Sequence, residues 1–147
     1  GDEPLIGEEI INKFISKMKV LENVNNAILN CVCPISASDA FDPNNVKCAL
    51  INNQDNIQYF SRKALLNNID NEHKSYYKQL GLYGMSKKVL FEFSSLPQGQ
   101  LEKAEKVELM RWLENKKEIK CCVVENKTIS VDTPQDLVDV IDNLNNN

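Results

Sequence analysis

The sequence predicts an α/β fold built on a mixed sheet, because short apolar runs typical of strands alternate with amphipathic helical segments along the chain. No internal repeat interrupts this alternation. At 147 residues the chain is long enough for one domain with a substantial core and short for two. We therefore expect a single unit over residues 1–144, followed by a disordered tail at 145–147.

The first half of the chain predicts one helix and three strands. Apolar residues recur at helical spacing from Glu8 to Met18, which indicates an amphipathic helix. The run Ala27–Cys33 is typical of a buried strand, and Pro34 marks its expected end. Two further strand-like runs, 46–52 and 57–61, are separated by a polar turn and predict a hairpin.

The second half predicts helices and strands in alternation after a long polar loop, Arg62–Ser75. Thr133-Pro134-Gln135-Asp136 begins the last helix, since Thr is a good N-cap and Pro suits the first turn. We expect that helix to bury Leu137, Val140, Ile141 and Leu144. The remaining expected elements are a strand Tyr76–Gly84, a helix Ser86–Phe93, a helix Leu101–Asn115, a strand Glu118–Glu125 and an extended piece Ile129–Val131.

Composition excludes several function classes. A formal charge of −4 argues against nucleic acid or an anionic membrane as the main partner, and no apolar run reaches the ~20 residues of a membrane span. The five cysteines form no CxxC pair, which predicts reduced structural thiols in a cytoplasmic protein. Dinucleotide-binding, Walker, zinc-protease and serine-hydrolase motifs are absent from the sequence.

The strand Tyr76–Gly84 is the first candidate site. Side chains alternate across a strand, so Gln79, Gly81 and Tyr83 share one face while Leu80 lies on the other. A Gly between two polar side chains allows a ligand to approach the backbone closely. A half-exposed strand with a solvated face explains the same pattern.

The predicted helix Leu101–Asn115 is the second candidate site. At about 100° per residue, Glu105 and Glu108 fall on the same side as the apolar residues of this helix. Carboxylates within an apolar stripe are costly unless they are paired or bind a ligand. They are suited to the hydroxyls of a polyol; the alternative is a salt bridge from Glu108 to Arg111.

The third candidate site is Asp132, which lies between a strand and a helix N-terminus, where open α/β sheets bind ligands. Together with Asp2 it offers the oxygen ligands that a hard divalent cation prefers. The alternative is a helix-capping role for Asp132.

Six motifs in the same order resemble the CMP-Kdo synthetases (3-deoxy-manno-octulosonate cytidylyltransferases). They cover nearly the whole chain, and the opening Gly1-Asp2-Glu3-Pro4-Leu5-Ile6 is similar to a family stretch whose preceding Gln is missing here. The other five are Phe41-Asp42-Pro43-Asn44-Asn45-Val46-Lys47, Tyr59-Phe60-Ser61-Arg62, Leu80-Gly81-Leu82-Tyr83-Gly84, Leu101-Glu102 with Glu105, Glu108 and Arg111, and Val131-Asp132-Thr133-Pro134-Gln135-Asp136-Leu137.

The resemblance implies an incomplete nucleotide-sugar transferase fold (GT-A-like or Rossmann-like) that lacks its N-terminal nucleotide-binding half. This chain would supply the sugar-acid side and the dimerisation region. The implied reaction transfers CMP from CTP to Kdo and releases pyrophosphate, for lipopolysaccharide synthesis, in a homodimer. The implied site has Asp2 and Asp132 on catalytic Mg²⁺, and Arg62, Gln79, Tyr83, Glu105 and Glu108 around the sugar acid.

Departures from the family pattern and the missing nucleotide-binding half leave two alternatives. Gln79 replaces a usual His, Leu109 replaces a usual Gln, and a second Arg expected after Arg62 is absent. One alternative is therefore a cytidylyltransferase for another sugar acid, such as the 8-amino analogue of Kdo or a sialic acid. The other is a non-catalytic dimerising or regulatory fragment.

Overall fold

The computed structural model describes residues 3–21, 26–51, 55–65, 76–125, 131 and 133–145. The helices and strands alternate as the sequence predicts. In chain order they are α1 Glu8–Leu21, β1 Ile28–Ile35, α2 Ala37–Ala40, β2 Lys47–Ile51, β3 Asn56–Ser61, β4 Tyr76–Gly84, α3 Lys87–Ser95, α4 Gln100–Glu105, α5 Met110–Glu114, β5 Ile119–Val123 and α6 Pro134–Asn145.

The strands form one mixed sheet that closes on itself in the order β1-β4-β2-β3-β5. Strands β1 and β5 run parallel, and the other neighbouring pairs run antiparallel. A mixed sheet is what the sequence predicts, and its closure was not foreseen. Closure brings the start of β2 beside the middle of β4, with Lys47 opposite Lys78, and this junction carries the candidate site.

Two apolar clusters hold the sheet. One includes Phe60, Trp112 and Ile119, all fully buried, and the other joins Phe14 of α1 to the opposite side of β1. All five cysteines are buried and unpaired, which confirms their prediction as structural thiols. Burial raises the pKa of Cys33 to about 11, which keeps that thiol protonated near neutral pH.

Most predicted elements are confirmed, with small shifts of their ends. Helix α1, the hairpin β2–β3 and strand β4 lie where the pattern placed them. Strand β1 passes through Pro34 to Ile35 instead of ending before the proline. Residues 66–75, most of the predicted polar loop, and residues 129–130 of the predicted last extended piece lie outside the described residues; Val131 is not in a strand.

The prediction of one continuous helix over Leu101–Asn115 is wrong. Lys106 adopts a left-handed conformation with φ 55°, which ends α4 and lets the chain turn before α5 begins at Met110. The two short helices then pack together, because the Glu114 carboxylate accepts a hydrogen bond from the Leu101 amide at 3.0 Å. Gly99 allows this approach, since a Cβ at that position would lie 1.9 Å from Glu114 Oε2.

The prediction for the last helix is partly wrong. Its start is confirmed, because Thr133 and Asp136 exchange side-chain to backbone hydrogen bonds of 2.7 and 3.3 Å as a capping box. The predicted burial of its apolar side is confirmed only for Val140, which is 4% exposed. Leu144 is 62% exposed, and Leu137 and Ile141 are also exposed. The helix includes Asn145, so the predicted tail at 145–147 starts too early, and 146–147 lie outside the described residues.

Candidate functional site

A pocket of about 240 Å³ lies where the open face of β4 meets the turn before β2 and the end of α4. Its walls come from segments far apart in sequence, so it exists only in the folded chain. The lining residues are Glu3, Asn44, Asn45, Val46, Arg62, Lys78, Gln79, Gly81, Tyr83, Lys106, Val107 and Glu108.

The polar face of β4 forms one wall of this pocket, as the alternation predicts. Gln79, Gly81 and Tyr83 line the pocket, while Leu80 on the opposite face is fully buried. Gln79 Nε2 donates to the Tyr83 hydroxyl at 3.4 Å, and the Gly81 amide donates to Glu3 Oε1 at 3.5 Å. The wall therefore presents an amide, a phenol and a carboxylate around an exposed glycine.

Arg62 stands at the end of β3 and shares its guanidinium between the protein and the pocket. Nε donates to the Glu105 carbonyl at 3.0 Å, and Nη1 donates to the Pro43 carbonyl at 2.9 Å. Within the described part of the chain, Nη2 and the second hydrogen of Nη1 make no hydrogen bond, so they are available to a ligand. Arg62 thus links α4 to the turn before β2 while lining the pocket.

Glu105 lies behind the pocket and is absent from its lining. One carboxylate oxygen accepts from the Arg62 amide at 3.0 Å, and the other accepts from the Tyr59 and Ser61 hydroxyls at 3.2 and 3.4 Å. Burial raises the pKa of Tyr59, and the neighbouring Glu105 carboxylate raises it further. This geometry gives Glu105 a positioning role for Arg62, and its predicted contact with a ligand stays a prediction.

Lys47 fixes the turn before β2 to the end of β3, behind the pocket. This role was not predicted from the sequence. Its side chain is 1% exposed, and Nζ donates to the carbonyls of Asp42, Asn45 and Arg62 at 2.9, 2.5 and 2.5 Å. Burial lowers its pKa, while the three carbonyls satisfy all three donors of the ammonium. A lysine opening a short apolar strand was the available signal, because such a position needs partners once it is buried.

The left-handed turn after α4 forms the remaining wall. It places Lys106, Val107 and Glu108 along the pocket, where Glu108 is exposed. The predicted alternative, a salt bridge from Glu108 to Arg111, is not what the structure shows. Arg111 pairs with Glu102 instead, through bonds of 2.7 and 2.5 Å.

Among the described residues that line the pocket, cations outnumber carboxylates. Arg62, Lys78 and Lys106 face Glu3 and Glu108. This positive charge, together with several side-chain amides and the Tyr83 hydroxyl, suits a small, hydroxylated anion. The carboxylates are placed to accept hydrogen bonds from its hydroxyl groups.

The predicted metal ligands Asp2 and Asp132 lie outside the described residues. Among the residues that the structure does describe, no group of three His, Cys, Asp or Glu side chains could hold a metal ion. Likewise, within that part of the chain no helix has the length and apolarity needed to cross a bilayer. The neighbours of the two aspartates are described: Glu3 lines the pocket, and Thr133 caps α6.

A family model, two bacterial relatives and one solved structure that match this chain all belong to one kind of enzyme. A family model described as cytidylyltransferase matches residues 1–119. The 3-deoxy-manno-octulosonate cytidylyltransferase of Bacteroides thetaiotaomicron is 37% identical over 93% of this chain, and that of Fusobacterium nucleatum is 35% identical over 100%. A solved structure of CMP:2-keto-3-deoxy-manno-octonic acid synthetase complexed with CTP matches with a TM-score of 0.85 and 28% identity over 99% of this chain.

The chain spans only part of the proteins that it matches. It covers 57% and 59% of the two bacterial relatives and 59% of the solved chain. The pocket lies within the matched part.

Proposed function

Because the chain belongs to the cytidylyltransferase family, we propose that the protein carrying it transfers CMP from CTP to 3-deoxy-D-manno-octulosonate (Kdo) or a close analogue. The products are a CMP-sugar acid and pyrophosphate. The observation that carries the proposal is the pocket on the open face of β4, where the described lining residues include three cations and two carboxylates. Its residue types match an acid sugar, which offers one carboxylate and several hydroxyls.

The described residues bind and orient the sugar acid. Arg62 and the pocket lysines attract the carboxylate, while Gln79, Tyr83 and Glu108 exchange hydrogen bonds with ring and side-chain hydroxyls. Fixing the sugar in this way holds its anomeric hydroxyl towards the α-phosphorus of CTP. Nucleotidyl transfer depends mainly on such positioning and on charge neutralisation.

We further propose that Asp2 and Asp132 hold Mg²⁺. Two carboxylates suit a hard cation that keeps most of its water, and Glu3, the neighbour of Asp2, lines the pocket. When bound, the cation would neutralise charge on the triphosphate and the attacking oxygen.

The wider role follows from the substrate. Activated Kdo serves lipopolysaccharide assembly, and we propose this role for the product. We also propose that the enzyme is cytoplasmic and, as the family resemblance implies, acts as a homodimer. Sedimentation of the complete gene product tests the dimer, with a monomer at working concentration as the contrary result. Fractionation of cells that express it tests the location.

Pyrophosphate release by the complete gene product tests the function. CTP and Mg²⁺ are supplied with Kdo, its 8-amino analogue or a sialic acid, and we expect turnover with Kdo or the analogue. Turnover only with the sialic acid would overturn the substrate assignment. No turnover with any acid, from a folded protein that still binds CTP, would favour a non-catalytic role.

Replacing Asp132 by Asn tests the metal site within the same assay. We expect near-total loss of turnover with an unchanged circular-dichroism spectrum. As a matched control, Asp139→Asn changes a carboxylate on the exposed part of α6 and should retain activity. Full activity of Asp132→Asn would remove Asp132 from the metal site.

A further inference from the structure

We propose that Lys106 is a specificity-determining residue whose ammonium binds the carboxylate of the acid sugar. The proposal rests on the proposed function and deepens it, because it assigns the carboxylate to a particular cation. Lys106 lies at the left-handed turn that separates α4 from α5. The resemblance to the family gives this position no role.

The Arg62 guanidinium already makes two hydrogen bonds to the protein. Its Nε and Nη1 donate to the carbonyls of Glu105 and Pro43. A carboxylate that binds side-on, across Nε and its neighbouring Nη, would have to displace the Glu105 bond. Arg62 therefore contributes one or two donors and leaves other lone pairs of the carboxylate for a second donor.

The other pocket lysine, Lys78, also has a partner. Lys78 Nζ lies 3.5 Å from Asn45 Oδ1, across the β2–β4 junction. By contrast, no described residue accepts a hydrogen bond from the Lys106 ammonium or pairs with it, although its backbone amide donates to the Glu102 carbonyl at 2.7 Å. Lys106 is the pocket cation with all three ammonium donors available within the described part of the chain.

The Lys106 backbone lies in the left-handed region. With φ 55°, Lys106 occupies a conformation that glycine adopts at lower energy, so the same turn would form with glycine. The side chain is therefore not needed to build the turn. Replacing Lys106 by Gly separates the two roles, because stability and substrate binding should change in opposite directions.

The test uses Lys106→Gly in the complete gene product, with Kdo and CTP as substrates. We expect the Tm to rise by about 2–4 °C. We expect the KM for Kdo to rise about three- to tenfold, between the effect of an exposed ion pair and that of a hydrogen bond to a charged group. The KM for CTP and kcat should change less than twofold, because the lost contact stabilises the bound sugar acid equally in the ground state and in the transition state.

Two companion variants complete the test. Lys106→Gln keeps a long side chain on the left-handed backbone but removes its charge. The KM for Kdo should therefore rise with no gain in Tm. Lys116 also has a left-handed backbone, with φ 57°, and lies outside the pocket. Lys116→Gly should therefore raise the Tm similarly and leave both KM values unchanged.

The outcomes separate the inference from the proposed function. If the wild-type protein turns over neither Kdo nor its 8-amino analogue, the proposed function fails whatever the variants do. If it turns over one of them, an unchanged KM for that acid in both Lys106 variants overturns the inference alone. A rise in the KM for CTP instead would assign the ammonium to the triphosphate and also overturn it.

Discussion

The ion pair between Arg111 and Glu102 gives the most direct test of how α4 and α5 hold the pocket wall. Arg111 donates through Nε and Nη2 to the two oxygens of Glu102 at 2.7 and 2.5 Å. The side chains are 16% and 3% exposed. Removing one partner of such a buried pair leaves the other charge uncompensated, which costs about 3–5 kcal/mol.

We expect Arg111→Met to approach the upper end of that range, because the stranded Glu102 is the more deeply buried partner. Glu102→Met should cost less, since Arg111 retains some solvent and lies 5.0 Å from the centre of the Phe93 ring. The double variant Glu102→Met with Arg111→Met should lie within about 1 kcal/mol of the wild type, because apolar residues of similar volume replace the whole pair.

Urea denaturation followed by circular dichroism measures all these free energies of unfolding. A double-mutant cycle then gives the coupling energy, which we expect to be several kcal/mol. If Arg111→Met costs less than about 1 kcal/mol, or if the double variant loses the sum of the two single losses, the pair does not hold the two helices together.

Three further predictions concern the same fold. Lys47→Met leaves three backbone carbonyls without a donor and should lower the free energy of unfolding by about 2–4 kcal/mol. The KM for Kdo should also rise, because Arg62 is held less firmly. A normal stability together with a normal KM would contradict the positioning role of Lys47. The hydrogen bond from its arginine partner lowers the pKa of Glu102, so the pair's contribution to stability is complete above the unfolded pKa of about 4.3. It is lost as pH falls through the folded pKa, so the stability difference between wild type and Arg111→Met should shrink in acid titrations; a constant difference would refute this. Val140→Ala should cost about 2 kcal/mol in denaturation and Leu144→Ala under about 0.5, and equal costs would contradict the observed 4% and 62% exposure.

Strand β4 shows what could be predicted of the site from the sequence. Alternation fixes which side chains share a face whatever the strand packs against, so Gln79, Gly81 and Tyr83 were found together without any knowledge of the fold. The walls that meet this strand could not be found in that way. Arg62 and Lys106 reach the pocket, and Lys47 supports it from behind, through long-range packing that no local period encodes.

The broken helix shows where local reasoning fails. At about 100° per residue, a continuous helix would spread Val107, Leu109, Met110 and Trp112 over more than half of its circumference. All four are buried, and one straight helix lying on the sheet could not bury them all. The left-handed Lys106 resolves this conflict at a site with neither Gly nor Pro to signal a break.

The exposed face of α6 shows a second limit. Its apolar spacing predicted a buried stripe, yet Val140 alone among its apolar residues is buried in the described chain. The pattern reports that the helix has an apolar side. It does not say which part of the protein packs against that side.

The closed sheet also has a consequence for how the chain reaches its fold. Strand β1 is almost wholly apolar and buried, and it pairs with β4 and with β5, which lie about 50 and about 90 residues further along. On the ribosome, β1 therefore emerges long before either neighbour and cannot be covered until β5 follows. We expect slow folding from such distant pairings, and nascent chains truncated before Ile119 should depend on chaperones to stay out of aggregates.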